Sequence, residues 1–306
     1  MTPHLLRDAP HRLPSWVAAL ALTLTLAGQA CAATAYSGMY IFGDSLSETG
    51  NYEAAGVGDL VYPAPYAPGR FSNGPVWVEY LATSLGLQAP TPAFDGGNNY
   101  AWGGAMTAGQ AGPLPPYDLG LQSQAFLFDH LGVADPAALY VVWAGGNDAL
   151  EGEVMHTADN IGAVIATLAG AGARNFLVPN LPLLGEDFAK VNADLVPVLD
   201  SLEASLDLQL VQLDVAGLFM TIAIDTLNGG AGFGFEDFQT PCFDGSAVCA
   251  NPDAYVLWDA IHPTTRAHGF IGQMAYAELT AVPLPAGIWL LGSALGALAV
   301  ARRVKA

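Results

Sequence analysis

The sequence predicts an α/β protein with a mostly parallel sheet, and three observations lead there. Between residues 36 and 281, short β-branched or apolar runs alternate with amphipathic segments, the rhythm of strands joined by crossover helices rather than of a β-sandwich. Gly, Pro, Ser, Thr or Asp bounds the segments, as caps and turns require. Finally, 306 residues of 52% hydrophobic composition suffice to bury one full-sized core.

Taken in chain order, residues 39–42 (MYIF) form the first predicted strand. Residues 56–73, rich in Gly, Pro and aromatic side chains, read as a long loop, and such loops in a compact domain usually shape a site. Helices are predicted over 75–85 and 119–131, a strand over 138–143, a helix over 158–168 and a strand over 175–179. Residues 228–253 read as a second long loop, and 264–280 as the last helix. No internal repeat or long linker interrupts the body.

Charge narrows the partners. Of 9 Lys+Arg against 28 Asp+Glu, five of the basic residues (Arg7, Arg12, Arg302, Arg303, Lys305) lie in the two terminal segments, leaving Arg70, Arg174, Lys190 and Arg266 for the body. Phosphate backbones are held by dense Lys/Arg patches, so a nucleic-acid partner is excluded. Anionic lipid is likewise not approached through charge.

Four histidines remain once His4 and His11 are set aside: His130, His156, His262 and His268. His262 alone has a carboxylate at a spacing suited to a rigid local pair, in Trp258-Asp259-Ala260-Ile261-His262-Pro263-Thr264. An i, i+3 turn can set Asp259 against one imidazole nitrogen and leave the other free to take a proton. Pro263 disfavours helix at His262, so a loop should present it. His268 reads as a helix-face residue, and neither His130 nor His156 has an evident partner.

Ser45 follows directly on the first strand, at the carboxyl end where open α/β sheets place their ligands. An α/β-hydrolase elbow is ruled out, because Gly43-x-Ser45-x-Ser47 has serine where the second glycine belongs. The longer stretch Phe42-Gly43-Asp44-Ser45-Leu46-Ser47-Glu48-Thr49-Gly50-Asn51 resembles the first block of the GDSL (SGNH) lipase/acylhydrolase family. Downstream, Gly69-Arg70-Phe71-Ser72-Asn73-Gly74 and Pro75-Val76-Trp77 follow that family's pattern. So do Asn99-Tyr100-Ala101-Trp102-Gly103-Gly104-Ala105, Ala144-Gly145-Gly146-Asn147-Asp148 and the Asp259/His262 segment.

This resemblance implies a three-layer α/β/α sandwich around a mostly parallel, flavodoxin-like sheet. It also implies a serine ester hydrolase with Ser45 as nucleophile, and Asp259 and His262 as its proton-handling partners. The backbone N–H groups of Ser45 and Gly104 and the side-chain NH₂ of Asn147 would form the oxyanion hole. The block alignment prefers Gly104 to its neighbour Gly103. Asp148 is expected to order its loop by accepting backbone hydrogen bonds. No metal or organic cofactor is implied. Substrates in the family range over lipids, short-chain esters, acetylated sugars and thioesters, so a carbohydrate acetylesterase is an alternative, and a non-catalytic surface or matrix binding protein on the same fold is another. Tyr62, Tyr66, Phe71, Trp77 and Trp102 are candidates to line an acyl pocket, to stack on sugars, or to pack as core.

Both ends read as addresses. Arg7 and Arg12 precede an apolar run and the small residues Gly28, Ala30, Ala32 and Ala33, a secretory signal peptide over 1–32 cut near Ala32 by signal peptidase. Cys31 has a poor lipobox context. At the other end, Val282-Pro283-Leu284-Pro285-Ala286, an apolar stretch to Ala301 and a basic end resemble the VPLPA variant of the PEP-CTERM sorting signals of Gram-negative bacteria. Its sixteen apolar residues would span about 24 Å as a helix, slightly short of a hydrocarbon core of about 30 Å. A plain tail anchor is the alternative. The resemblance implies transient membrane anchoring, processing by an exosortase-type enzyme and delivery to the cell surface or outside. The hydrolase domain is thus expected over 36–281. In an exported chain, Cys242 and Cys249 are the natural disulfide pair, with no third ligand nearby for a metal.

Overall fold

A computed structural model describes residues 36–109 and 117–281. The signal and sorting segments expected at 1–32 and 282–306 lie outside the described residues. Four strands, β1 (Met39–Gly43), β2 (Leu139–Trp143), β3 (Asn175–Pro179) and β4 (Gln209–Leu213), form one sheet in the order β1-β2-β3-β4. Every pairing is parallel, with Met39 beside Leu139, Leu139 beside Asn175, and Asn175 beside Gln209.

Nine α-helices are described. They are α1 (Asn51–Ala54), α2 (Gly58–Val61), α3 (Trp77–Leu85), α4 (Leu119–Asp129), α5 (Gly146–Glu151), α6 (Thr157–Ala171), α7 (Glu186–Ser205), α8 (Val215–Leu227) and α9 (Thr265–Thr280). The central strands LYVVW and NFLVP are buried at every position, as a parallel sheet covered on both faces demands. Alternation then splits their side chains between two cores. Ile41, Leu139, Val141 and Leu177 join Trp77, Leu81 and Ile271 on one face. Phe42, Tyr140, Val142 and Phe176 join Phe126, Ile165 and Leu168 on the other. The result is the expected α/β/α layering.

Besides the short helices α1, α2 and α5, the structure adds three elements absent from the sequence reading. Strand β4 (QLVQL) is half-exposed at the sheet edge, so its apolar signal is diluted. Helix α7 carries Pro197 internally, which normally argues against a helix. Helix α8 is apolar on nearly all sides, with little of the one-sided pattern that marks a surface helix. The loops expected at 56–73 and 228–253 are largely irregular, apart from α2.

Candidate active site

The first strand ends in a glycine that no other residue could replace. Gly43 adopts φ 154°, and a Cβ there would lie 2.1 Å from the Trp143 carbonyl oxygen. The backbone of Gly43 is gripped by Gln122 of α4, whose Oε1 accepts from Gly43 N–H and whose Nε2 donates to Gly43 C=O, both at 2.8 Å. This side chain pins the chain where it leaves the sheet. A tight turn follows, with Ser47 and Glu48 N–H donating to the Asp44 carbonyl and Leu46 N–H to the Asp44 carboxylate. Ser45 stands at its apex, 7% exposed.

Residues 98–102 lie along the free edge of β1. Ile41 N–H donates to Asn98 C=O, Tyr100 N–H to Ile41 C=O, and Trp102 N–H to Gly43 C=O. Two buried asparagines lock this segment to the Ser45 turn. Asn51 Nδ2 donates to the carbonyls of Asn99 and Ala101, while Asn99 Nδ2 donates to Ser47 C=O and Thr49 Oγ1. Gly103 N–H is committed to the buried Glu48 carboxyl at 2.5 Å, and a Cβ on Gly103 would meet the Phe71 ring at 2.1 Å. Gly104, at φ 75°, is therefore the better placed of the two to turn its N–H toward a ligand.

Asn147 lies in the first turn of α5, just past the carboxyl end of β2, and its Nδ2 donates to Ala105 C=O at 2.8 Å. An amide has two N–H bonds, so one remains for a substrate oxygen. Asn147 lines the same cavity as Ser45 and His262. Gly104 is not among that cavity's walls; it is tied to Asn147 through Ala105. Asp148 does order the neighbouring loop, accepting from Thr107 N–H at 3.0 Å and from the hydroxyls of Thr107 and Thr157.

His262 lies 217 residues from Ser45 in sequence, and its Nε2 is 2.8 Å from Ser45 Oγ. Its Nδ1 is 2.7 Å from Asp259 Oδ2, and Asp259 Oδ1 accepts from His262 N–H and Ile261 N–H. The local turn expected from the i, i+3 spacing is thus formed. Burial alone would raise the Asp259 carboxyl; its hydrogen bond and charge interaction with His262 and the Ile261 and Tyr66 hydrogen bonds outweigh this and lower it to about 2. Asp44, in the same cavity wall, is pushed by burial up to about 7 despite the Leu46 N–H and His262.

The presenting loop is braced from outside. Ser72 Oγ donates to Pro263 C=O and Asn73 Oδ1 accepts from Thr265 N–H, the first residue of α9. Thr264 caps that helix through Ala267 N–H. Behind it, the bonded cysteines Cys242 and Cys249 hold a small loop whose N–H groups at 242 and 243 donate to Leu257 and Trp258 C=O. The disulfide thus stiffens the segment leading into Asp259.

Of the other histidines, His268 is fully buried, accepting from Trp77 N–H, and His130 stacks on Phe126. The aromatic residues suggested for an acyl pocket do other work. Trp77 is core, Tyr62 and Trp102 pack against Tyr52, and Phe71 leans on the His262 ring at 5.2 Å. Tyr66 donates its hydroxyl to Asp259 Oδ2 at 2.7 Å, a partner no motif signalled. The apolar walls of the cavity beside Ser45 include instead Leu46, Leu150, Leu181, Leu184, Phe188 and Ile261. No cluster of His, Cys, Asp or Glu able to hold a metal occurs among the described residues.

A chain of oxygen, imidazole and carboxylate beside a cavity is the geometry of acyl transfer. Residues 39–274 match the model of the GDSL-like lipase/acylhydrolase family. The chain belongs to that family. Phosphatidylcholine-sterol acyltransferase of Aeromonas hydrophila is 27% identical over 79% of this chain and 89% of its own length. Thermolabile hemolysin of Vibrio parahaemolyticus is 29% identical over 76% of this chain and 61% of its own. A crystal structure of a lipolytic G-D-S-L family protein from Veillonella parvula covers 80% of this chain and 99% of its own, with TM-score 0.44 and 16% identity. This GDSL-like hydrolase is accordingly a carboxylic ester hydrolase of the lipase/esterase class.

Proposed function

We propose that Ser45 is the nucleophile of this hydrolase and that His262 and Asp259 serve it. The observation that carries the reading is the unbroken path from Ser45 Oγ through His262 to Asp259, at 2.8 and 2.7 Å. His262 Nε2 takes the hydroxyl proton as Ser45 Oγ attacks the ester carbonyl, then returns it to the departing alcohol. Water, deprotonated by the same nitrogen, attacks the acyl-Ser45 and regenerates the serine. Asp259, ionised across the working range of an esterase, holds Nδ1–H and so fixes the tautomer that leaves Nε2 basic.

The oxyanion is assigned to the N–H groups of Ser45 and Gly104 and to the free N–H of Asn147. Donors preorganised for developing charge are worth roughly 3–4 kcal/mol each. The purified protein is expected to release p-nitrophenol from acetate and butyrate esters, and Ser45→Ala to lower kcat at least ~10⁴-fold. Equal rates in the two proteins would refute the assignment.

The chain is further proposed to be exported, with 1–32 and 282–306 acting as signal and sorting segments that are removed or anchored in passing. The oxidised Cys242–Cys249 pair supports an oxidising compartment. N-terminal sequencing of protein recovered from a Gram-negative host's surface fraction tests this. A mature start just after Ala32 is expected, and an intact Met1 in that fraction would oppose it.

A further inference from the structure

We propose that a second cavity, walled by α8 and the segments around 182–184 and 256–260, holds the aliphatic chain of the ester substrate. This rests on the assignment of Ser45 as nucleophile. The cavity beside Ser45 measures about 40 Å³, the second about 460 Å³. One water-sized group needs roughly 10–15 Å³, so the first cavity holds about three at most, whereas the second is more than ten times larger. A short acyl group fills the first; a longer chain must leave it.

The two cavities meet at a shared wall, across which the proposed chain would pass. Pro182 and Leu184 line both cavities, and Ile261 of the first is followed back along the chain by Ala260 of the second. Beyond that wall the lining side chains include Phe219, Met220, Ala223, Phe238 and Val256, with Gln239 the one polar side chain among the described residues. No ionised group lines it among the described residues, so a charged ligand would lose hydration there with no counter-charge.

The apolar side chains around this opening are also unusually exposed. Leu183 is 49%, Leu184 48% and Met220 52% exposed, and Ile224 and Leu227 of α8 lie further out at 54% and 75%. A surface helix ordinarily turns its apolar stripe to the core, yet α8 buries fully only Val215 and Ile222. Exposed apolar side chains around a cavity that shares Pro182 and Leu184 with the Ser45 cavity are what a ligand groove would present.

The test compares kcat/KM of the purified chain for p-nitrophenyl decanoate against acetate, and for decyl acetate against ethyl acetate, in wild type, Ala223→Phe and Met220→Asp. Ala223→Phe fills the cavity, and Met220→Asp places a charge at an exposed position where folding tolerates it. Buried methylenes contribute up to about fourfold each. The decanoate-to-acetate ratio is expected to fall at least ~10-fold in both variants if the chain is the acyl group. The decyl-to-ethyl ratio falls instead if it is the alcohol, and either fall supports the site. Unchanged ratios in both variants, with turnover still dependent on Ser45, would overturn this inference alone. Turnover that survives Ser45→Ala would overturn the assignment beneath it.

Discussion

Two neighbouring walls of the molecule, meeting at Pro182 and Leu184, are built on opposite principles. On the side of Ser45, buried polar groups hold one another at fixed distances: Gln122 grips Gly43, Asn51 and Asn99 cross-link two loops, and Asp259 takes four donors. On the side of Leu183, Leu184 and Met220, apolar side chains stand half in water. A relay of protons tolerates little displacement, because both the hydrogen bonds and the attack angle depend on it. A chain of methylenes asks only for dry, adaptable surface. On the proposed assignments the difference teaches that chemistry and selectivity are separable, and substitutions on the two faces should show it in different kinetic parameters.

The largest effect that would sharpen this contrast is expected for Asp259→Asn. The amide keeps the shape, but its NH₂ would donate to His262 Nδ1 and fix the proton on Nε2, where it cannot accept from Ser45. A fall in kcat of about 10⁴-fold is expected, with little change in the decanoate-to-acetate ratio. A mild kcat defect would break the claim that the polar face does the chemistry.

Next in size is Asn147→Ala, which removes a donor assigned to the oxyanion. A loss of about 10²–10³-fold in kcat is expected with KM nearly unchanged, measured on acetate and butyrate esters. Because Asn147 also donates to Ala105 C=O, a thermal melt alongside distinguishes loss of the loop from loss of the donor. An effect confined to KM would remove Asn147 from the hole.

The smallest effect concerns stability rather than turnover. Burial, with the His262 charge adding to it, lowers His268 from about 6.5 to about 3. A base depressed in the folded state stays neutral there while the unfolded chain takes up a proton. Its stabilising contribution is therefore complete above about pH 6.5 and is lost progressively as pH falls toward 3. His268→Gln, which keeps an acceptor for Trp77 N–H, should lower Tm at pH 7.5 but flatten its decline between pH 6.5 and 4. Parallel Tm curves for the two proteins would contradict this.

Much of the polar face was legible in the sequence, because its partners are either local or carried by contiguous blocks. Asp259 and His262 are three residues apart, and Pro263 forces the loop that presents them. Ser45 and Asn147 each follow a strand in the family's pattern and line one cavity, while Gly104, read from the same blocks, lies outside its walls. Three parallel strands and four helices were readable from periodicity. What escaped depends on packing at long range. Gln122 sits on an ordinary helix face, and nothing in its neighbourhood announces that it completes the hydrogen bonding of Gly43, 79 residues away. Tyr66 reads as one aromatic among several until the fold sets it on Asp259, 193 residues on. The apolar face escaped for the converse reason: Leu183, Leu184 and Met220 carry no motif, and their exposure is a property of the folded surface.

The most direct measurement of the central claim is covalent labelling of the purified protein with a p-nitrophenyl alkylphosphonate, followed by intact mass and peptide mapping. The account predicts one adduct, on Ser45, formed with release of one p-nitrophenol and abolished by either Ser45→Ala or His262→Ala. An adduct on any other residue, or labelling of Ser45 that proceeds unchanged without His262, would contradict it.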